Sequence, residues 1–89
     1  MKTYRTSLTI AGSDCSGGAG VQADLKTFSA LGVYGMSIIT ALTVQNTKAV
    51  TDVLPTPVEH LRKEFEAIFD DIRPDSIKIG MCVNEPIID

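Results

Sequence analysis

The chain predicts an α/β fold built on a mostly parallel sheet, and three observations carry that prediction. Apolar β-prone runs alternate with amphipathic stretches at helical spacing. A loop from Gly12 to Gly20, with four glycines in nine residues, stands where the first strand becomes the first helix. The run Ser37 to Val44 (S-I-I-T-A-L-T-V) reads as a strand covered on both faces, as in a parallel sheet.

Each element has its own signal. Thr6 to Ala11 is a short β-prone run ended by glycine. Ala19 to Leu31 sets Val21, Leu25, Phe28 and Leu31 at helical spacing, and Gly32 follows where a left-handed residue commonly ends a helix. Ala49 to Leu54 alternates weakly and reads as a short strand closed by Pro55 and Pro57. From Val58 to Ile72 the helical pattern returns. Val58, Leu61, Phe65, Ile68, Phe69 and Ile72 share one face; Arg62, Lys63, Glu66 and Asp70 lie on the other. Pro57 suits the first helical position and Pro74 marks the end. Ser76 to Ile79 is a further strand. Asn84 and Glu85-Pro86 read as the N-cap and first turn of a third helix, which has too few residues to stand in water. The order β-α-β-β-α-β-(α) describes a sheet cut in mid-crossover, so the expectation is the N-terminal part of a larger domain.

Bulk properties narrow the function. The 89 residues are 44% apolar and 21% charged, ordinary for a globular chain. A net charge of −3 and a pI near 4.9 offer no basic surface for nucleic acid or anionic membrane. The most apolar run, Gly35 to Asn46, is far short of the ~20 residues of a membrane helix. The N-terminus leads into a strand too short for a signal-peptide core. Cys15 and Cys82 form no Cys-x-x-Cys and have no histidine nearby, which argues against zinc and for a reduced, cytoplasmic setting.

The glycine loop is where the sequence speaks of function. Its glycines let backbone approach something small and polar, with N–H groups of the helix's first turn directed at it. A P-loop needs a lysine and a hydroxyl after its last glycine, but Gly20 is followed by Val21-Gln22. Gly18-x-Gly20-x-x-Ala23 matches a dinucleotide fingerprint, yet the next strand ends in Val44-Gln45-Asn46 without the acid a ribose needs. Ligands in open α/β sheets bind outside the carboxyl ends of the strands. Ala11-Gly12, Val44-Gln45-Asn46 and Ile79-Gly80-Met81 are therefore expected to converge on one pocket. Gln45 can donate and accept at once, which suits an uncharged heteroaromatic ring, and Met81 could pack on the ring's face. Asp24 reads equally as support for the helix N-terminus or as a site residue. Asp14 and Ser16 read as turn formers and N-cap donors, or as ligand contacts.

The run T-I-A-G-S-D-C-S-G-G-A-G-V-Q-A-D-L-K-T-F-S-A-L-G-V-Y-G, then I-T-A-L-T-V-Q-N-T and K-I-G-M, closely resembles the hydroxymethylpyrimidine/phosphomethylpyrimidine kinases of thiamine biosynthesis. The resemblance covers nearly the whole chain. It implies a ribokinase-like three-layer α/β/α fold with a mostly parallel central sheet. It also implies phosphate transfer from Mg-ATP to the hydroxymethyl group of the pyrimidine, then to the monophosphate. By that resemblance Gln45 contacts the pyrimidine, Gly12, Ala19 and Asp24 surround its pocket, Met81 forms an apolar wall, and Thr43 is a lining residue. Cys15 stands where the family normally has proline. The family's ATP site and its anion hole at a helix N-terminus belong to a second half not found in these residues, so the segment is expected to recognise substrate without turning it over. The family often forms dimers, so the resemblance makes a homodimer one candidate state of the full-length protein. A pyridoxal kinase of the same fold, a non-catalytic pyrimidine-binding remnant and an NAD-binding remnant are the alternatives.

Overall fold

The structure, a computed structural model, describes residues 5–80. The third helix expected from Asn84, together with Met81 and Cys82, lies outside them. The elements are β1 (Thr6–Asp14), α1 (Gly20–Ala30), β2 (Tyr34–Gln45), β3 (Val50–Pro55), α2 (Val58–Asp71) and β4 (Ser76–Ile79). They form one four-stranded sheet in the order β3-β2-β1-β4. β1 pairs in parallel with both β2 and β4, while β2 pairs with β3 antiparallel. The expected mostly parallel α/β fold is therefore present.

Strand parity separates two faces. Leu8, Ile10 and Ile38 point to one side and form the core with Leu61 of α2, flanked by Met36, Phe65, Ile68 and Phe69. Thr9 and Gly35 face the other side, where α1 lies. Thr9 hydrogen-bonds Asp24 of α1, and a methyl group at Gly35 would come within 2.9 Å of Leu25. The helices thus cover opposite faces, as a crossover fold requires. α1 ends as expected: Leu31 is the C-cap and Gly32 takes a left-handed φ of 73°.

Several expectations need correction. β1 runs three residues past Ala11, so Gly12, Ser13 and Asp14 are strand rather than loop. Pro57 is the N-cap of α2, one place before the expected first helical position, because its ψ of 141° is extended. The second strand is not covered on both faces along its length: Ile38, Thr40 and Ala41 are buried, but Leu42 and Val44 are exposed.

β2 is also irregular on both flanks near its end. Against β1 it holds an extra residue, Thr40 and Ala41 standing opposite Gly12 alone. Against β3 the surplus lies in the partner, where Thr51 is skipped between Asp52 and Val50. Such bulges bend a strand and re-aim its side chains. Here the freed carbonyls find donors. The Thr56 N–H and hydroxyl donate to the carbonyls of Thr40 (2.9 Å) and Ile39 (2.7 Å), and the Thr51 hydroxyl donates to Val44 at 3.0 Å.

Candidate functional site

At the carboxyl ends of β1, β2 and β4 the sheet opens into a cleft of about 560 Å³. Its walls are Ala11, Gly12, Ser13, Ala19, Gly20, Asp24, Ala41, Thr43, Gln45, Val50, Val53, Lys78 and Gly80. Five of the six residues expected at the site, Gly12, Ala19, Asp24, Thr43 and Gln45, meet there; the sixth, Met81, lies outside the described residues. Mostly apolar walls with a few convergent polar groups, at a volume of this order, are the usual make-up of a small-molecule pocket.

The loop between β1 and α1 is organised by Asp14, 4% exposed. Its Oδ1 accepts from the Ser16 N–H (2.8 Å) and hydroxyl (2.6 Å). Its Oδ2 accepts from the N–H groups of Gly18 (3.0 Å) and Ala19 (2.8 Å). The Ser16 hydroxyl holds the carboxyl below the ordinary aspartate value; burial opposes this, and the backbone donors reinforce it. The loop N–H groups of Ser16, Gly18 and Ala19, which precede the helix, are thus directed at an internal carboxylate. Asp14 is a turn former, and the N-cap itself is Ala19, with no side-chain cap.

Gly20 closes the loop. With φ at +63°, a methyl group here would lie 2.3 Å from the Gly12 carbonyl oxygen, so only glycine lets α1 start directly over β1. Gln22 then ties helix to strand. Its amide oxygen accepts from the Asp14 N–H at 2.8 Å and its amide nitrogen donates to the Ser13 hydroxyl at 2.7 Å.

Gln45 is held from behind. Its amide nitrogen donates to the Thr43 hydroxyl at 2.6 Å, and that hydroxyl donates to the Ser13 carbonyl at 2.5 Å. An amide carries two N–H donors and an accepting oxygen, so hydrogen-bonding capacity remains for a ligand. The Cys15 thiol donates to the Gln45 carbonyl at 3.1 Å, joining the loop to the end of β2. Asp24 sits past the first turn of α1, so support of the helix N-terminus is not its role. It accepts from the Thr9 hydroxyl at 2.6 Å and pairs with Lys78 at 2.5 Å. Burial pushes its pKa up, but the Lys78 and Thr9 hydrogen bonds outweigh that and hold it below the ordinary value.

Sequence reasoning missed Thr9, Gln22 and Lys78. Nothing in the pattern of one strand says which residue of another lies beside it. Asn46, expected at the cleft, instead caps the turn before β3, its side-chain oxygen accepting from the N–H groups of Lys48 and Ala49. Among the described residues no three His, Cys, Asp or Glu side chains gather as a metal site.

The fold is a mostly parallel α/β sheet with a cleft at the strand ends. Residues 14–89 match the family model described as phosphomethylpyrimidine kinase, and the chain belongs to that family. It is 54% identical over 89 residues to the hydroxymethylpyrimidine/phosphomethylpyrimidine kinase of Bacillus subtilis, covering 100% of this chain and 32% of that protein. The crystal structure of phosphomethylpyrimidine kinase from Clostridium difficile superposes with a TM-score of 0.91 at 58% identity, over 94% of this chain and 36% of that one. The pyridoxal kinase from Staphylococcus aureus gives a TM-score of 0.88 at 45% identity, over 98% and 32%. The chain thus spans about a third of the length of the relatives it matches.

Proposed function

We propose that residues 1–89 are the N-terminal part of a single ribokinase-like kinase domain and supply its pyrimidine-binding wall. The full protein would phosphorylate 4-amino-5-hydroxymethyl-2-methylpyrimidine and then its monophosphate in thiamine biosynthesis, in the cytoplasm, as a homodimer. The observation that carries this reading is the meeting of Gln45, Thr43, Asp24, Gly12 and Ala19 in one ring-sized cleft, in a chain of this family. Gln45, pre-aimed by Thr43, pairs with the ring nitrogen and amino group; Asp24 accepts from a donor on a ring substituent; Ala19, Val50 and Val53 enclose the faces, with Met81 as a further wall.

Mg-ATP is the co-substrate, held by residues outside this segment. The loop here does not fit a phosphate cradle, because three of its N–H groups already face Asp14. Within this chain the chemistry is orientation: the cleft fixes the ring so that its hydroxymethyl oxygen meets the phosphoryl group in line.

A pyridoxal kinase is the second reading, supported by the Staphylococcus aureus pyridoxal kinase, whose structure is also solved in complex with pyridoxal. The test is ATP consumption by the full-length protein with hydroxymethylpyrimidine and with pyridoxal. Turnover of the pyrimidine is the expected result; turnover of pyridoxal alone would select the second reading. Calorimetric titration of the 89-residue chain with hydroxymethylpyrimidine tests the non-catalytic binding remnant: no heat from a sample shown to be folded ends that reading.

A further inference from the structure

β4 enters the sheet with Lys78 directly opposite Thr9 in the parallel register. Both side chains rise on the α1 side, and Asp24 comes down between them. Thr9 is fully buried, the Asp24 side chain is 12% exposed and the Lys78 side chain 57% exposed. The two carboxylate oxygens are divided: Oδ2 accepts from the Thr9 hydroxyl and Oδ1 from the Lys78 ammonium. Three separate elements therefore fix one carboxylate, and Asp24 and Lys78 are the charged residues of the cleft wall. Just past β4, a methyl group at Gly80 would come 2.9 Å from the Ala11 side chain, so glycine lets the chain lie close against β1 there.

An ion pair with so exposed a lysine contributes little to stability. Its geometric effect is larger. With Thr9 alone, the carboxylate could turn about its side-chain torsions; with Lys78 on the second oxygen that turn would break a charge-assisted hydrogen bond. Each oxygen keeps a lone pair beyond the bond it already accepts, so a carboxylate fixed in this way presents a directed acceptor to the cleft.

We infer that Lys78 is a positioning residue for substrate. By clamping Asp24 from β4 it aims the carboxylate at an N–H or O–H donor carried on a ring substituent, and so sets affinity for donor-bearing heteroaromatic substrates. The inference rests on the pyrimidine-kinase reading. It assigns the lysine of the K-I-G-M run a part in recognition although it need not touch the ligand.

Steady-state kinetics of the full-length protein test it. Lys78→Met raises KM for hydroxymethylpyrimidine about tenfold, the equivalent of roughly 1.4 kcal/mol, with kcat changed less than about twofold. Lys78→Arg, which restores a charged donor, recovers most of the loss. Lys78→Met added to Asp24→Asn raises KM no further than Asp24→Asn alone, because the lysine acts only through that carboxylate. A purely structural role predicts the reverse split: a lower melting temperature and a smaller active fraction, with KM unmoved. Unchanged KM in folded Lys78→Met, or additivity in the double variant, would overturn the inference while leaving the kinase reading intact. Should the methionine variant not fold, Lys78→Gln reads the same KM. A wild-type protein that phosphorylates neither ring overturns both.

Discussion

Asp14 and Asp24 stand on either side of the α1 N-terminus, each with a carboxyl held below the ordinary aspartate value. Asp14 gathers two donors from Ser16 and one each from Gly18 and Ala19, all within its own loop. Asp24 takes its partners from β1 and β4, distant in sequence, and lines the cleft. One carboxylate organises the backbone that frames the site; the other is exposed to whatever enters it. A residue type alone therefore says nothing of its role. The provenance of its hydrogen-bond donors does.

The most severe way to break the contrast is to prevent the loop from closing. Gly20→Ala combines left-handed strain with overlap against the Gly12 carbonyl and is expected to cost about 2–6 kcal/mol. Gly18→Ala is its control. The glycine loop as a whole suggests a backbone need at Gly18, but φ there is not positive and a methyl group would meet Asp14 at an ordinary 3.8 Å. Its cost should stay within about 0.5 kcal/mol. Denaturant melts of the two variants decide this, and equal losses would refute the closure argument.

Replacing each aspartate by asparagine sharpens the contrast. Asp14→Asn leaves a carboxamide that can accept on one atom only, so donors in the loop lose a partner and the melting temperature falls by roughly 5–10 °C. The acid limb changes too. A depressed folded pKa gives stability that is present above the unfolded value, about 3.8, and disappears as pH falls through the lower folded value. The Asp14→Asn melting curve is therefore flatter across that window than the wild-type curve. Asp24→Asn should melt within a few degrees of wild type, because the amide oxygen can still accept from Thr9 and the Lys78 partner is itself exposed, yet raise substrate KM. A larger melting loss for Asp24→Asn than for Asp14→Asn would reverse the assignment.

The smallest effect belongs to Cys15, where the resemblance leads one to expect proline. Asp14 is already extended as the last residue of β1, the conformation a following proline requires. The thiol's contacts with Gln45 are weak ones. Cys15→Pro should change stability by less than about 0.5 kcal/mol in a thermal melt.

Much of the architecture was legible in the sequence because periodicity reports which faces are covered. The spacing of Leu61, Phe65, Ile68 and Phe69 is enough to place α2 on the core, and Gly32 to end α1. The rule that ligands sit at strand carboxyl ends is enough to bring Gly12, Gln45 and Gly80 to one cleft. What stayed hidden depends on closure and register. The length of β1 beyond Ala11 follows from how Asp14 is satisfied, and Lys78 meets Asp24 only because β4 aligns Lys78 with Thr9. The bulges around Thr40 and Thr51 leave no compositional mark, since Thr56 and the Thr51 hydroxyl satisfy the freed carbonyls.

The contact between Gly20 and the Gly12 carbonyl makes the intervening segment a ring of fixed circumference. Cys15 and Gly18 make no close demands on it, so its residue count matters more than their identity. One residue added or removed between Asp14 and Gly20 would break the register in which the Ser16, Gly18 and Ala19 N–H groups reach the Asp14 carboxylate. Length, more than identity, is what this loop has to inherit unchanged.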